Sequence, residues 1–319
     1  MAKRVIVTGG AGFIGSNLCD LLLKENCEIT CIDNFDQYYN PKIKRKNIHS
    51  ALQNKRYKLI EANLVDISYI SSNLSGKYDA IIHLAVRAGL RYSIMDPFDG
   101  KEKNLLCLQK ALELSLIHEI PYFIFASSSS IYGNTDIPFK EDYCNLEPLC
   151  SYASTKLISE DIGKEYSKKH GTTFISLRLF SAYGPRSRPD LVLYKIAHSL
   201  YFNESFKVFG DGNSLRDYTH VYDVVNGIIK ALDYKASKFE IFNIGNSAPV
   251  KLSSLLAIAE SVCNKKINVE YLKPIKGEAE VTWADISKAK KYLGYQPQVN
   301  IIDGVKDYIN WFSKNYILN

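Results

Sequence analysis

The sequence predicts an α/β protein, a doubly wound parallel sheet with a smaller C-terminal α/β part, and three observations carry that prediction. Short apolar, β-branched runs alternate with helical stretches through the first half of the chain. The first run leads straight into a glycine-rich turn, Gly9 to Gly15. Beyond Leu179 the alternation loses its regularity. Strands that are apolar throughout belong to a parallel sheet covered by helices on both faces, since a strand with one wet face would alternate with polar residues. That is the Rossmann arrangement.

Taken in order, Val5-Ile6-Val7 is the first strand, and a helix follows the glycine turn to about Lys24. Glu28 to Ile32 is the second strand; Lys58-Leu59-Ile60, Ala80 to Leu84, Tyr122 to Ala126 and Phe174 to Leu179 continue the series. Between the second and third strands, Lys42, Lys44, Arg45 and Lys46 read as a solvated helix face. A second part is expected from near Ser181, where Gly184, Pro185, Pro189, Gly210 and Gly212 punctuate shorter elements. Ile302 to Phe312 has the apolar spacing of a closing amphipathic helix.

Composition sets outer bounds. With 319 residues, 46% hydrophobic and 23% charged, the chain can bury a large core and is not a disordered tail. The net charge of +6 is modest and not gathered into a basic arm, which argues against nucleic acid. Seven cysteines, an odd number without a CxxC pair, fit a reducing compartment. The start MAKRVIVTGG enters a strand rather than a signal-peptide core, and no apolar run reaches the ~18 residues of a membrane span, so a cytoplasmic protein is expected. The six histidines and the cysteines show no metal-ligand spacing, and no metal is expected.

Two constellations carry chemistry. Gly9, Gly12 and Gly15 form G-x-x-G-x-x-G between a strand and a helix, where the turn, the close approach of a pyrophosphate and the helix packing each require a missing side chain. Asp33 ends the second strand 18 residues beyond Gly15, placed to hydrogen-bond the hydroxyls of an adenosine ribose. Its charge would repel a 2′-phosphate, so NAD is favoured over NADP. In SYASTK, Tyr152 and Lys156 share one helix face. A tyrosine with a pKa of about 10 is a poor base at neutral pH, and a nearby ammonium is expected to lower that value. Ser127 to Ser130 stand just after Ala126, at the strand end where such sheets bind ligands. His83, in an apolar strand, reads as structural, and His220 beside Arg216 stays open.

With these motifs in view, the chain resembles the extended short-chain dehydrogenases/reductases, and among them the NAD-dependent nucleotide-sugar epimerases. The resemblance runs through TGGAGFIG, DNF, HLA, SSSSIYG, YASTK, RLFSAYGP, RDYTHVYDVV and ADISKAKKYLGYQP. It implies Tyr152 as acid/base, Lys156 holding the nicotinamide ribose, and Ser128 as the assisting hydroxyl. Contacts to NAD are implied for Gly9, Gly12, Phe13, Ile14, Gly15, Asp33, Asn34, Asn63, Leu64, Leu84, Ala85 and Asn104, besides Tyr152 and Lys156. The chain departs from the family pattern at Asn63, at Cys107 in the N-L-x-G-T helix start, and at Glu278.

Similar dehydratases and decarboxylases carry acidic residues where this chain has Ser129 and Ser130, and elimination or decarboxylation needs that extra proton carrier. DNFDQYYNPKIKRKNI, HLAVRAGLRYSIMDP and YGPRSRPDL are closer to the UDP-glucuronate 4-epimerases. Arg91, Arg186, Arg188 and Arg216 are candidate donors to substrate phosphate or carboxylate, with Arg188 the first choice for locking the nucleotide and Arg216 the next. Ser181 stands where galactose-type epimerases carry Asn; with Ser129 and Ser130 it offers hydroxyl donors to a sugar carboxylate.

The expected reaction is NAD-dependent inversion of carbon 4 of UDP-glucuronate, giving UDP-galacturonate through a 4-keto intermediate. The alternatives are 4-epimerisation of neutral or N-acetylated UDP-hexoses and, from another class, a catalytically silent NAD-binding sensor or scaffold. Residues 1–180 are expected to form the NAD-binding domain with Ser128, Tyr152 and Lys156, and 181–319 the UDP-sugar domain, the chain returning to the first domain near 221–245. The resemblance also implies a homodimer built on helices of about Pro97 to Ser115 and Tyr152 to His170, with Leu105, Leu108 and Leu112 serving that interface or the protein's own core. No nucleic-acid or membrane partner is expected.

Overall fold

The computed structural model describes residues 3–87, 99–274 and 279–317. The first half builds β1 (Arg4–Thr8), α1 (Phe13–Lys24), β2 (Glu28–Asp33), α2 (Pro41–Ile48), β3 (Tyr57–Glu61), α3 (Ile67–Ser72) and β4 (Ala80–His83). It continues with α4 (Asp99–Ile117), β5 (Tyr122–Ser128), α5 (Ser151–His170) and β6 (Thr173–Leu179). There follow β7 (Ser181–Tyr183), α6 (Val192–Phe202), β8 (Phe206–Phe209), β9 (Leu215–Arg216) and β10 (Tyr218–His220). The chain then forms α7 (Val221–Ala231) and β11 (Phe239–Ile244). It ends in β12 (Val250–Lys251), α8 (Leu252–Cys263), β13 (Val269–Leu272), α9 (Ser287–Leu293) and α10 (Ile301–Tyr316).

Seven strands form one parallel sheet in the order β11-β6-β5-β4-β1-β2-β3. This is the doubly wound arrangement the apolar runs predict. β1 shows the cause: Val5 and Val7 enter one core with Leu18 and Leu22 of α1 and Val224 and Ile228 of α7. Ile6 points the other way, into a core with Ile70 of α3 and Leu108 and Leu112 of α4. A third core joins Leu193 and Ile196 of α6, Leu255 of α8 and Phe312 of α10. After β6 the chain leaves the sheet for β7 to β10 and re-enters it as β11 beside β6.

The structure corrects two local expectations and decides one that the sequence leaves open. β5 does not stop at Ala126: Ser127 and Ser128 stay in the sheet, in register with Arg178 and Leu179 of β6, and only Ser129–Tyr132 turn away as a short 3-10 helix. The closing helix is longer than its apolar stripe, because Asn300 caps it by accepting from the Asp303 N–H at 3.0 Å, and it runs to Tyr316. Leu108 and Leu112 lie in the protein's own core, so they are not exposed for an interface. Among the described residues, no helix is long and apolar enough to cross a membrane.

Candidate active site

The sheet order reverses between β1 and β4, and ligands of open α/β sheets bind beyond the carboxyl ends of the strands at such a point. A cleft of about 990 Å³ opens there. Apart from Arg186, which turns away to pair with Asp20 at 2.7 Å, every expected site residue that the structure describes lines it, from Gly9 and Asp33 through Ser128, Tyr152 and Lys156 to Ser181, Arg188 and Arg216. Arg91 and Glu278 lie outside the described residues.

The glycine turn forms one end. Gly9 takes φ +70°, its N–H donates to the Ile32 carbonyl at 2.8 Å, and its own carbonyl accepts from Gly12 N–H at 3.1 Å. A Cβ on Gly15 would stand 2.3 Å from that carbonyl oxygen. Helix α1 starts at Phe13 with no side chain capping it, so its first N–H groups are open to a phosphate. The Asp33 carboxylate is held by the N–H groups of Ala11 (3.1 Å) and Phe35 (2.8 Å). Lys44 overturns the reading of its run as solvated: it is buried, 3.7 Å from Asp33, and lines the cleft. Its ammonium lies 5.1 Å from the centre of the Tyr39 ring, while Lys42, Arg45 and Lys46 of the same helix stay exposed.

The reacting groups meet where β5 ends and α5 begins. Lys156 Nζ donates to the Ala126 carbonyl at 2.6 Å and lies 4.5 Å from the centre of the Phe125 ring and 5.8 Å from that of Tyr152. Burial draws its pKa down to about 7, against the pull of Glu160 one turn along the helix. Tyr152 differs from expectation: burial raises its pKa, and the groups that pull it back are the Arg188 charge and a hydrogen bond with Ser128. Ser128 Oγ in turn accepts from the N–H and the hydroxyl of Ser130, at 3.2 and 3.0 Å, so its own proton is directed to Tyr152. The raised pKa keeps Tyr152 a neutral phenol at neutral pH, desolvation outweighing the pull of Arg188 and Ser128.

Around this centre, Arg188 makes a two-pronged pair with Asp190, both contacts 2.9 Å. Arg188 also lies close enough to Tyr152 for its charge to favour the phenolate. Arg216 donates to the carbonyls of Leu215 and Glu280, each at 3.0 Å. The Asn104 side chain brackets Arg87, accepting from its N–H at 2.9 Å and donating to its carbonyl at 3.2 Å. His83 is structural: its Nδ1 meets Thr8 Oγ1 at 2.8 Å, and burial keeps it neutral with a pKa of about 3. His220 accepts from Tyr222 N–H at 3.4 Å, capping α7, with its Nε2 3.3 Å from Asp307.

The cleft fits a dinucleotide. Its glycine turn leaves the space a Cβ would fill, Asp33 is fixed beside it, and Ser127 Oγ is buried in the wall without a protein partner. The family described as NAD dependent epimerase/dehydratase matches residues 5–245. The chain belongs to the NAD dependent epimerase/dehydratase family. A UDP-glucuronate 4-epimerase of Thermodesulfobacterium geofontis is 34% identical over 97% of this chain and 96% of the relative. The crystal structure of UDP-glucuronic acid 4-epimerase from Bacillus cereus, in complex with UDP-glucuronic acid and NAD, has a TM-score of 0.92 at 32% identity, covering 98% of this chain and 100% of the other. The dTDP-glucose 4,6-dehydratase DesIV of Streptomyces venezuelae, with NAD bound, has a TM-score of 0.91 at 26% identity, covering 98% and 97%.

In this NAD-dependent family member, sequence reasoning passed over Asp36, Tyr38, Arg87 and Asp190, all in the cleft wall. Arg87 pairs with Asp36 at 3.0 Å, and the Tyr38 hydroxyl meets Asp190 at 3.4 Å. Tyr38 stands within a stretch already marked by resemblance, DNFDQYYNPKIKRKNI, which was the available signal. The Asp36–Arg87 pair joins residues 51 positions apart, and no local spacing announces it.

Proposed function

We propose that the protein inverts carbon 4 of UDP-glucuronate, interconverting it with UDP-galacturonate through a 4-keto intermediate. One observation carries the reading: the cleft wall around Tyr152 is lined by Ser128, Ser129, Ser130 and Ser181. The positions that bear carboxyl groups in dehydratases and decarboxylases are thus hydroxyls. NAD, held by the glycine turn and Asp33, would supply a hydride acceptor and donor for carbon 4, and its positive ring would favour the phenolate. Tyr152 takes the proton from the carbon-4 hydroxyl and later gives it back. Ser128 donates to the oxygen that gains charge, and Arg188 and Lys156 supply positive potential. Ser129, Ser181 and, once its hydroxyl turns from Ser128, Ser130 hold the sugar carboxylate through charge-assisted hydrogen bonds. Anchored there, the β-keto acid intermediate keeps its carboxylate solvated by donors and does not lose carbon dioxide.

Purified protein incubated with UDP-glucuronate is expected to give UDP-galacturonate as a single new chromatographic peak; a UDP-pentose, or no conversion, contradicts the reading. The product is an activated uronate suited to polysaccharide biosynthesis. We place the enzyme in the cytoplasm, a reading supported by its seven unbridged cysteines.

A homodimer through α4 and α5 is part of the same proposal. Leu106, Ile158 and Ile162 are exposed on these two packed helices, apolar surface that pairing would cover. Light scattering is expected to report a dimer, and the double variant Ile158→Asp, Ile162→Asp a monomer. A wild-type monomer would end this part of the proposal.

A further inference from the structure

Behind the reacting groups lies a buried polar chain that the mechanism above does not use. Glu160 on α5 stands one turn beyond Lys156 and two turns beyond Tyr152. Its carboxylate accepts from Arg178 Nε at 3.1 Å, from Arg178 Nη2 at 2.8 Å and from the Ser176 hydroxyl at 3.0 Å. The third face of the guanidinium is used as well: Arg178 Nη1 donates to the Tyr132 hydroxyl at 2.9 Å. Tyr132 donates onward to Asn243 Oδ1 of β11 at 2.8 Å. Glu160, Arg178, Tyr132 and Asn243 are all 3% exposed or less.

The placement of this chain is informative. Tyr132 closes the 3-10 turn that starts at Ser129, directly after Ser128. Glu160 belongs to the helix that carries Tyr152 and Lys156. One guanidinium, on the strand between them, therefore grips the two elements whose separation sets the Ser128–Tyr152 hydrogen bond. A buried ion pair is often no more stabilising than apolar residues of the same volume, so stability alone does not account for it. Its fork geometry does fix two partners in direction.

We propose that Arg178 is a positioning residue for the reaction, holding the Tyr152 helix through Glu160 and the Ser128 turn through Tyr132. The inference rests on the assigned roles of Ser128, Tyr152 and Lys156. Glu160 has a second effect, because its charge helps Lys156 keep its proton. The other titratable groups facing Lys156 are Tyr152 on the same helix and His83 of β4, which stays neutral.

The test uses Tyr132→Phe, which removes only the hydroxyl Arg178 grips, and Glu160→Gln, which keeps shape and removes charge. Turnover is measured on whichever of UDP-glucuronate, UDP-glucose and UDP-N-acetylglucosamine the wild type converts. Product identity then judges the substrate reading, and the ratio to wild type judges this one. Tyr132→Phe is expected to lower kcat by about 10- to 10²-fold, with KM, NAD content and the pH profile unchanged. Glu160→Gln is expected to lower kcat and also to move the alkaline limb of the kcat profile to lower pH, as Lys156 loses its proton sooner. If Glu160→Gln does not fold, Tyr132→Phe decides alone. Wild-type kcat in Tyr132→Phe overturns the proposal, and so does a loss that merely follows lost NAD and a lowered melting temperature.

Discussion

Tyr152→Phe is expected to lower turnover of UDP-glucuronate by about 10³-fold while NAD remains bound. The argument is one of proton inventory. Carbon 4 cannot give up its hydride until the proton of its hydroxyl has somewhere to go, and in the proposed reaction the acceptor is the Tyr152 phenol oxygen, with Ser128, Arg188 and Lys156 near its ring. Phenylalanine keeps the ring, the packing of α5 and the hydrogen bonds of Ser128 with Ser130, so cofactor binding and fold stand apart from the loss. Single-turnover kinetics with NAD content measured in the same sample checks this. A variant with more than a tenth of wild-type turnover would falsify the assignment of the base.

Gly15→Ala is expected to weaken NAD binding by about 10- to 10²-fold, the counterpart of about 1–3 kcal/mol of overpacking. The added methyl would stand 2.3 Å from the Gly9 carbonyl oxygen and 2.7 Å from Gly10 Cα. Both are backbone atoms, so no rotamer change relieves the contact and α1 must move away from the turn. The start of that helix is where the phosphates bind, so the displacement acts on the cofactor directly. Calorimetric titration with NAD measures it, with circular dichroism to show that the helices persist. Affinity within twofold of wild type would mean that the turn does not cradle the pyrophosphate.

Much of the fold was legible because its signals are local. A strand apolar on both faces, a glycine turn between strand and helix, and a tyrosine and lysine one helical turn apart all depend on spacing alone. The same logic fails where the deciding partner is distant in sequence. In Lys42 to Lys46 the residues look interchangeable, yet only Lys44 turns inward, toward Asp33. Leu108 and Leu112 were open between core and interface; the packing of α3 and α4 on the sheet draws them inside. The serine run looked like a loop after the strand, but pairing with Arg178 and Leu179 keeps its first two residues in the sheet.

By itself, then, the sequence determined the architecture and the chemical vocabulary of the site: the glycine turn, Asp33, and the serine, tyrosine and lysine. Tertiary structure alone decided their electrostatic state. Burial raises the Tyr152 pKa and lowers that of Lys156, the reverse of what neighbouring opposite charges in water would do, because desolvation depends on what covers a group rather than on its sequence neighbours. It also decided that Glu160, Arg178 and Tyr132, spread over three elements, form one buried chain behind the reacting groups. Those relations are set by distances in space, which a linear spacing does not contain.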